Sequence, residues 1–273
     1  MNAWPAFVIG FGLVELVFVF AWAWARRCNN YSLVDAVWAF GIGLAAEFWL
    51  FACGGGWTLK RITAAALIAM WSLRLGLYLQ SRIRRAHPKE DARYAKLRQV
   101  WAGREASAFF WFFQAQGLSV ILLALPFLWV ARDHDGFWSA WETTGLIVTL
   151  LGVVGEGLAD SQMSRFKRMN RDSKAVCQEG LWRYSRHPNY FFESIIWIGF
   201  YLFACGSEWG WTAIHAPIAI IVLLLRVTGI PPTEAAAVLR KGDAYRHYQK
   251  TTSPFIPWPP KRLNPTDFLS PTP

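Results

Sequence analysis

The chain has 273 residues, of which 54% are hydrophobic, 16% aromatic and only 17% charged. Soluble domains carry about 25% charged residues, so this composition excludes a fully hydrated surface. It also excludes intrinsic disorder, which requires low hydrophobicity. The four cysteines are too few for a disulfide scaffold and show no Cys-x-x-Cys spacing, so we expect no metal site. The composition predicts an integral membrane protein.

Seven apolar stretches approach or exceed the roughly 20 residues that a helix needs to cross a bilayer. They run over 4–25, 33–53, 62–79, 107–131, 143–160, 190–205 and 211–229. The first is followed by Arg26 and Arg27 and lacks a small-residue cleavage site, which indicates a retained helix. We therefore predict an all-α, polytopic fold with seven transmembrane helices in a single domain, 1–273.

The segments between these stretches alternate in charge. Lys and Arg are concentrated in 82–104, 165–186 and 240–262, whereas 54–61, 132–142 and 206–210 carry few. The positive-inside rule places the basic segments and the C-terminus in the cytoplasm and the N-terminus outside. We interpret the net charge of +10 as a signal for topology and for contact with anionic membrane lipid, with no nucleic acid partner. The expected location is a bacterial inner membrane or an equivalent membrane.

Several ionisable residues fall inside or at the edge of these stretches, where each costs about 2.5–3.5 kcal/mol. They are Glu15, Asp35, Glu47, Arg74, Glu156, Asp160, Glu193 and Arg226. One interpretation is that they pair with each other and hold helices together. The other is that some bind a ligand, and Glu156 and Asp160, four residues apart, share one helical face.

The densest polar segment is 181–193, which reads LWRYSRHPNYFFE. Arg183 and Arg186 carry planar guanidinium groups suited to phosphate. Asn189 and Glu193 follow Pro188 on one face of a newly started helix. Two further side chains in the segment form directional hydrogen bonds, namely Tyr184 and His187. The pattern predicts a site for a large anionic cofactor, and the alternative is simple snorkelling at the membrane interface.

The last predicted span is followed by a Gly-Ile-Pro-Pro break at 229–232. Beyond it, Glu234 and Tyr245 could close with Arg226 over a bound ligand, or they could belong to an amphipathic surface helix. The proline-rich tail beyond Pro254 predicts an extended strap on the surface. The sequence contains no Gly-x-Gly-x-x-Gly and no Walker loop, so no Rossmann or P-loop nucleotide site is expected.

Three segments together resemble the DUF1295 branch of the steroid 5-alpha-reductase family. They are LWRYSRHPNYFFESIIWIG at 181–199, EGLADSQMSRFKR at 156–168 and the tail that begins GIPPTE at 229. The resemblance implies a monomeric membrane reductase with an apolar substrate cavity in 1–131 and an NADPH site in 143–262. The implied reaction is hydride transfer to the enone-type C=C bond of a steroid-like or other lipid, with the protein supplying position and electrostatics.

Motif by motif, the resemblance implies cofactor contacts from eight residues. They are Glu156, Asp160, Arg168, Tyr184, Asn189, Glu193, Arg226 and Tyr245. We add four residues of the polar segment and the tail to this prediction, namely Arg183, Arg186, His187 and Glu234. Steroid reductases bind the substrate ketone through a Gln-Glu pair and a Tyr. Here Asp35 stands for the Glu, Trp71 occupies the Tyr position, and Tyr78 offers a hydroxyl nearby.

Two other functions stay open. The Arg-His-Pro-x-Tyr segment at 186–190 also resembles the integral-membrane isoprenylcysteine carboxyl methyltransferases, which use S-adenosylmethionine. Those enzymes usually carry two adjacent Glu after the last span, whereas this chain has the single Glu234. A non-catalytic lipid-binding protein is the second alternative.

Overall fold

The computed structural model describes residues 3–53, 58–133, 137–170, 172 and 174–261. Within these residues the chain is helical, and its only β-type pairing is one isolated parallel bridge between Ser185 and Ser253. The predicted basic residues Arg171 and Arg262, and parts of the predicted loops at 54–57 and 134–136, lie outside the described residues. The helices are α1 (Ala3–Arg27), α2 (Leu33–Ala52), α3 (Leu59–Ala86), α4 (Ala92–Val100), α5 (Glu105–Arg132), α6 (Ala140–Met169), α7 (Pro188–Ala204), α8 (His215–Val222), α9 (Ile230–Lys241) and α10 (Asp243–Thr251).

Six helical runs in the described part of the chain are long and apolar enough to cross a membrane. Five of them are α1, α2, α3, α5 and α6, and the sixth extends from Gly210 to Lys241. The all-α prediction is therefore confirmed. The predicted span at 190–205 corresponds to α7, which has 17 residues and lies at the short end of what a bilayer requires. The number of seven spans and their orientation stay predictions.

The last helical run changes geometry along its length. A 3₁₀ turn (Gly210–Ile214) leads into α8, a π-helical turn (Leu223–Val227) follows, and α9 begins at Ile230. The predicted end of the span at Gly229 coincides with a bend at Thr228 and Gly229, after which the helical run continues through α9 to Lys241. Two prolines are accommodated because they occupy the first turn of α9, where backbone N–H groups have no helical partner.

The chain divides into two compact units. The first contains Met1–Leu146 and Phe200–Ala216, and the second contains Ile147–Gly199 and Pro217–Pro273. The boundaries between the units fall inside α6, α7 and α8. All twelve predicted cofactor residues belong to the second unit, and the three predicted catalytic residues belong to the first.

One end of the first unit is tied together by a charged group that we call the Asp35 network: Asp35, Arg82, Asp91, Arg93 and Tyr94. Asp35 Oδ2 lies 2.6 Å from Arg93 Nη2 and 3.1 Å from Arg82 Nη2, while Tyr94 donates its hydroxyl to Asp35 Oδ1 at 2.5 Å. Asp91 caps α4 by accepting the backbone N–H of Arg93. The network joins the start of α2 to the end of α3 and to α4.

The opposite ends of several helices in the first unit meet at the Lys60 cluster, which comprises Lys60, Asp133 and Glu142. Lys60 Nζ lies 2.5 Å from Asp133 Oδ2 and 2.7 Å from Glu142 Oε1, and it donates to the Gly206 carbonyl at 3.0 Å. Lys60 is 1% exposed and Glu142 is fully buried. One ammonium group thus joins the starts of α3 and α6 to the ends of α5 and α7.

A proline inside α5 shows how the fold satisfies a lost backbone hydrogen bond. Pro126 has no N–H to donate to the Leu122 carbonyl, four residues earlier. His215 Nε2 lies 2.8 Å from that carbonyl oxygen, so the imidazole replaces the missing donor. The interaction anchors the start of α8 against α5.

In the second unit, α6 and α7 approach closely at small residues. A Cβ added at Gly155 would lie 2.3 Å from Phe192, and one added at Gly152 would lie 2.8 Å from the backbone nitrogen of Ile196. From the α7 side, a Cβ at Gly199 would lie 2.3 Å from Thr149 Oγ1. Small residues permit this close packing where lipid supplies little drive for helix association.

Candidate functional site

Hydrogen bonds to α6 and α10 hold the polar segment before α7 in one conformation. Trp182 donates its indole N–H to the Ala159 carbonyl on α6 at 2.9 Å, and the Leu181 N–H reaches Gln162 Oε1 at 2.9 Å. Tyr248 on α10 donates its hydroxyl to the Trp182 carbonyl. The segment is therefore fixed on both sides before α7 begins at Pro188.

The tail is an extended strap along this segment, as predicted. Ser185 Oγ donates to the Phe255 carbonyl at 2.7 Å, and the Arg186 N–H donates to the Ser253 carbonyl at 2.8 Å. The Trp258 N–H donates to the Tyr184 carbonyl at 2.9 Å. Backbone hydrogen bonds, rather than the prolines alone, fix the path of the strap.

Arg186 is used inside the protein, which differs from its predicted role in phosphate binding. Its Nε lies 2.6 Å from Glu234 Oε1, and its Nη1 donates to the carbonyls of Gln249 and Thr252 at 2.8 and 2.5 Å. Three of the five guanidinium N–H donors are thereby occupied. The side chain is 8% exposed. In this arrangement Arg186 connects the polar segment to α9 and α10.

Glu234 is the centre of this connection. His187 Nε2 lies 3.2 Å from Glu234 Oε1, and Gln249 Nε2 donates to Glu234 Oε2 at 2.8 Å. The His187 ring stacks on Tyr190, with ring centroids 5.3 Å apart. The structure therefore brings together three of the predicted cofactor residues, Arg186, His187 and Glu234, as partners of each other. We call this group, with Gln249, the Glu234 network.

Asn189 and Glu193 follow on the first two turns of α7. Asn189 Oδ1 is buried and accepts no hydrogen bond from the residues that the structure describes. Glu193 is buried and accepts the Trp197 indole N–H at 2.9 Å. A buried amide oxygen without a donor costs about 1–3 kcal/mol, so such an atom calls for a ligand or a water.

The remaining predicted cofactor residues differ in exposure. Glu156 is buried on α6 and Asp160, one turn later, is half-buried. Tyr245 is buried in an apolar cluster with Tyr248 and Ala237, and burial raises its pKa to about 12. The four others present polar or cationic groups to the surface, namely Arg168, Arg183, Tyr184 and Arg226.

Arg226 lies in the π-helical turn of the last helical run. Such turns are rare in proteins overall, and those that occur often lie at functional sites. The turn ends against Gly229, where an added Cβ would lie 2.3 Å from the Leu224 carbonyl oxygen. The Gly-Ile-Pro-Pro break signalled a change of geometry here, but the sequence pattern does not distinguish a π-turn from the end of a helix.

The predicted catalytic residues occupy different environments in the first unit. Trp71 is fully buried, with its ring edge-on to Trp38 and Phe200. Tyr78 is two turns further along α3 and 52% exposed. Asp35 belongs to the Asp35 network, where Arg93 and Tyr94 donate hydrogen bonds to its carboxyl group. Burial and the Asp35 charge raise the pKa of Tyr94 well above its ordinary value, so its phenol stays protonated and donates.

Sequence analysis missed several residues that build the site. Gln162, Thr233, Gln249 and the Ser185 hydroxyl all fix the elements around Asn189, and Tyr190 lies 3.3 Å from Thr233 Oγ1. They are uncharged residues outside the most apolar stretches, where a polar side chain does not by itself indicate a site. Among the described residues, no group of three His, Cys, Asp or Glu side chains could hold a metal ion.

Comparison with known proteins places these features in a family. The family model described as "Protein of unknown function (DUF1295)" matches residues 21–252, which include the C-terminal end of α1 and all of α2 to α10. The chain is also 27% identical over 280 residues to the uncharacterized protein C594.04c of Schizosaccharomyces pombe. That match covers 92% of this chain and 79% of the yeast protein. The predicted family membership is confirmed: the chain belongs to the DUF1295 family.

Proposed function

We propose that this protein is a membrane-embedded, NADPH-dependent reductase that acts on a C=C bond conjugated to a carbonyl in a lipophilic substrate. The observation that carries the proposal is the buried, unsatisfied Asn189 Oδ1 on the first turn of α7. An amide oxygen in this position can accept a hydrogen bond from a carboxamide or a ribose hydroxyl. The resemblance to steroid 5-alpha-reductases, stated above on the same segment, supplies the identity of the cofactor.

The charges of the second unit fit a dinucleotide with three phosphates. Arg168, Arg183 and Arg226 are exposed cations, and Asn189 is a free acceptor. Arg186 and Glu234 do not fit, because each is already bound by the other. We therefore assign the phosphate-binding role to the exposed arginines and a positioning role to the Glu234 network. Under the predicted orientation this site faces the cytoplasm.

The proposal gives the predicted residues of each unit a separate role. When bound, NADPH supplies the hydride. Asn189 and the exposed arginines orient the cofactor, and Glu156 and Glu193 add buried acceptors in the same unit. In the first unit, Asp35 accepts hydrogen bonds from its neighbours, which leaves Trp71 and Tyr78 as candidates to donate a proton toward the substrate carbonyl.

Equilibrium binding tests the proposal. The full chain, purified in detergent, is titrated with NADPH, NADH and S-adenosylmethionine, and Trp fluorescence reports binding. We expect NADPH to bind most tightly and Asn189→Ala to weaken it about five- to tenfold, the worth of one hydrogen bond. Asn170→Ala is the matched control, because the exposed Asn170 amide only donates to the Phe166 carbonyl.

Three outcomes contradict the proposal. Preference for S-adenosylmethionine would favour the methyltransferase. Binding of neither cofactor would favour the non-catalytic lipid-binding protein. Equal weakening of NADPH by Asn189→Ala and Asn170→Ala would remove Asn189 from the site.

A further inference from the structure

The middle of α1 carries a carboxyl group that nothing in the described structure neutralises. Glu15 is the thirteenth of the 25 residues of α1, about 18 Å from either end of the helix. It is half-buried, and among the residues that the structure describes it makes no hydrogen bond or ion pair. A carboxyl group at this depth of a spanning helix is costly, and such residues mark binding or transport sites unless they are paired.

Glu15 lies directly against the backbone of α5. A Cβ added at Gly117 would lie 2.9 Å from Glu15 Oε1, so glycine leaves the space that the carboxyl group occupies. One turn earlier on α5, Gln114 Nε2 is buried and has no acceptor among the described residues. Two polar side chains without partners, one an acceptor and one a donor, therefore sit along the seam between α1 and α5.

The same seam contains an apolar groove. Its volume is about 320 Å³, and its lining is entirely apolar: Phe7, Val8, Phe11, Leu118, Ile121, Leu122 and Leu125. Helical periodicity places Glu15 on the stripe of Phe7 and Phe11, and Gln114 on the stripe of Leu118 and Ile121. The polar pair thus continues both walls of the groove.

The seam is closed on the far side of the polar pair. Trp22, two turns beyond Glu15, donates its indole N–H to the Ala106 carbonyl at 3.1 Å and lies edge-on to Phe110 at 5.2 Å. These contacts follow one antiparallel register of α1 against α5: Trp22 lies opposite Phe110, Glu15 opposite Gly117, and Phe7 opposite the Leu125 end. The apolar lining thus reaches Phe11 and Leu118, and Glu15 and Gln114 are the next residues on the same two stripes.

We propose that the α1/α5 seam binds a lipophilic molecule that carries a hydroxyl group. Its apolar body occupies the groove, its hydroxyl hydrogen is donated to the Glu15 carboxyl group, and its oxygen accepts a hydrogen bond from Gln114 Nε2. A hydroxyl group is both donor and acceptor and so satisfies both side chains at once. An ether or ester oxygen would leave Glu15 without a donor. This site goes beyond the proposed reductase function and does not depend on it.

Photolabelling of the full chain in lipid nanodiscs tests this site. The probe is a long-chain alcohol with a diazirine in its chain, and the reference probe is its methyl ether. Labelled peptides are identified by mass spectrometry. We expect the alcohol to label residues 7–11 and 118–125 about five- to tenfold more than the ether, the worth of one hydrogen bond.

Variants separate the polar contact from general lipid packing. Glu15→Leu should abolish the preference for the alcohol, and Glu15→Gln should retain it because the amide oxygen still accepts. Gly117→Ala should reduce labelling by displacing the carboxyl group. The matched control is Gly12→Ala on α1, because an added Cβ there meets nothing within 4 Å. Glu47→Leu is the control for removing a membrane carboxyl group elsewhere.

Equal labelling by alcohol and ether would overturn the proposal, as would labelling that avoids both helices. A preference that survives Glu15→Leu would also overturn it. NADPH titration of the same samples reports the reductase proposal separately, since photolabelling requires no cofactor. Loss of one result while the other stands therefore identifies which proposal has failed.

Discussion

The Lys60 cluster and the start of α7 are both polar and both buried, but they treat their polar atoms differently. In the Lys60 cluster one ammonium group donates hydrogen bonds to Asp133 and to the Gly206 carbonyl and lies 2.7 Å from the Glu142 carboxylate, so the buried charges are paired. At the start of α7, Asn189 Oδ1 is buried with no donor from the described residues. The comparison distinguishes paired charges that hold helices together from a buried polar atom that is available to bind a ligand.

The same contrast exists within the second unit. The Glu234 network satisfies Arg186, His187 and Gln249 internally, while Arg183, three residues before Arg186, is exposed. Two arginines that are equivalent in the sequence pattern therefore have different roles. Burial and pairing, rather than residue type, distinguish the structural arginine from the ligand-binding candidate.

The largest expected effect comes from breaking the Lys60 cluster. Lys60→Met leaves Asp133 and Glu142 buried without a cation, and breaking a buried ion pair costs about 3–5 kcal/mol. We expect thermal unfolding in detergent to fall by roughly 10 °C. Lys89→Met is the control, because Lys89 is exposed. An unfolding temperature equal to that of the control would show that the cluster does not hold the helices.

The second effect separates the two arginines. Arg186→Ala removes three internal hydrogen bonds and should lower the unfolding temperature without any cofactor present. Arg183→Ala should leave the unfolding temperature unchanged and weaken NADPH about tenfold while leaving NADH unaffected, as expected for a 2′-phosphate contact. The measurements are thermal unfolding and titration of both dinucleotides. Equal weakening of NADPH and NADH by Arg183→Ala would remove that assignment.

The smallest effect is a pH dependence of the Asp35 network. Burial raises the pKa of Asp91, but hydrogen bonds and charge from Arg93 and Arg82 outweigh burial and hold it below the ordinary value of 3.8. Asp91 therefore contributes stability above pH 3.8, and that contribution is lost as the pH falls through the lower folded value. Unfolding temperatures of wild type and Asp91→Asn should converge in acid. If the difference between the two unfolding temperatures stayed constant down to the lowest accessible pH, the predicted lowering of the Asp91 pKa would be contradicted.

Sequence patterns located the helices because apolar length is a property of each segment alone. Every predicted span lies within a helical run or exceeds one by a single residue at its end, and the predicted break at Gly229 coincides with a bend. Partner choice depends on distant residues, so it could not be predicted. Arg186 and Glu234 lie 48 positions apart, and nothing local indicates that they meet. Lys60 falls just outside a predicted span and carried no signal, although it is almost fully buried.

A cryo-electron microscopy structure of the full chain purified with NADPH tests the proposed cofactor site most directly. We expect density for two linked nucleotide halves in the second unit, with a hydrogen-bonding group of the cofactor on Asn189 Oδ1 and a phosphate near Arg183. We also expect Arg186 to stay paired with Glu234. A map in which Asn189 meets only protein atoms, with no dinucleotide density in that unit, would contradict the proposed site.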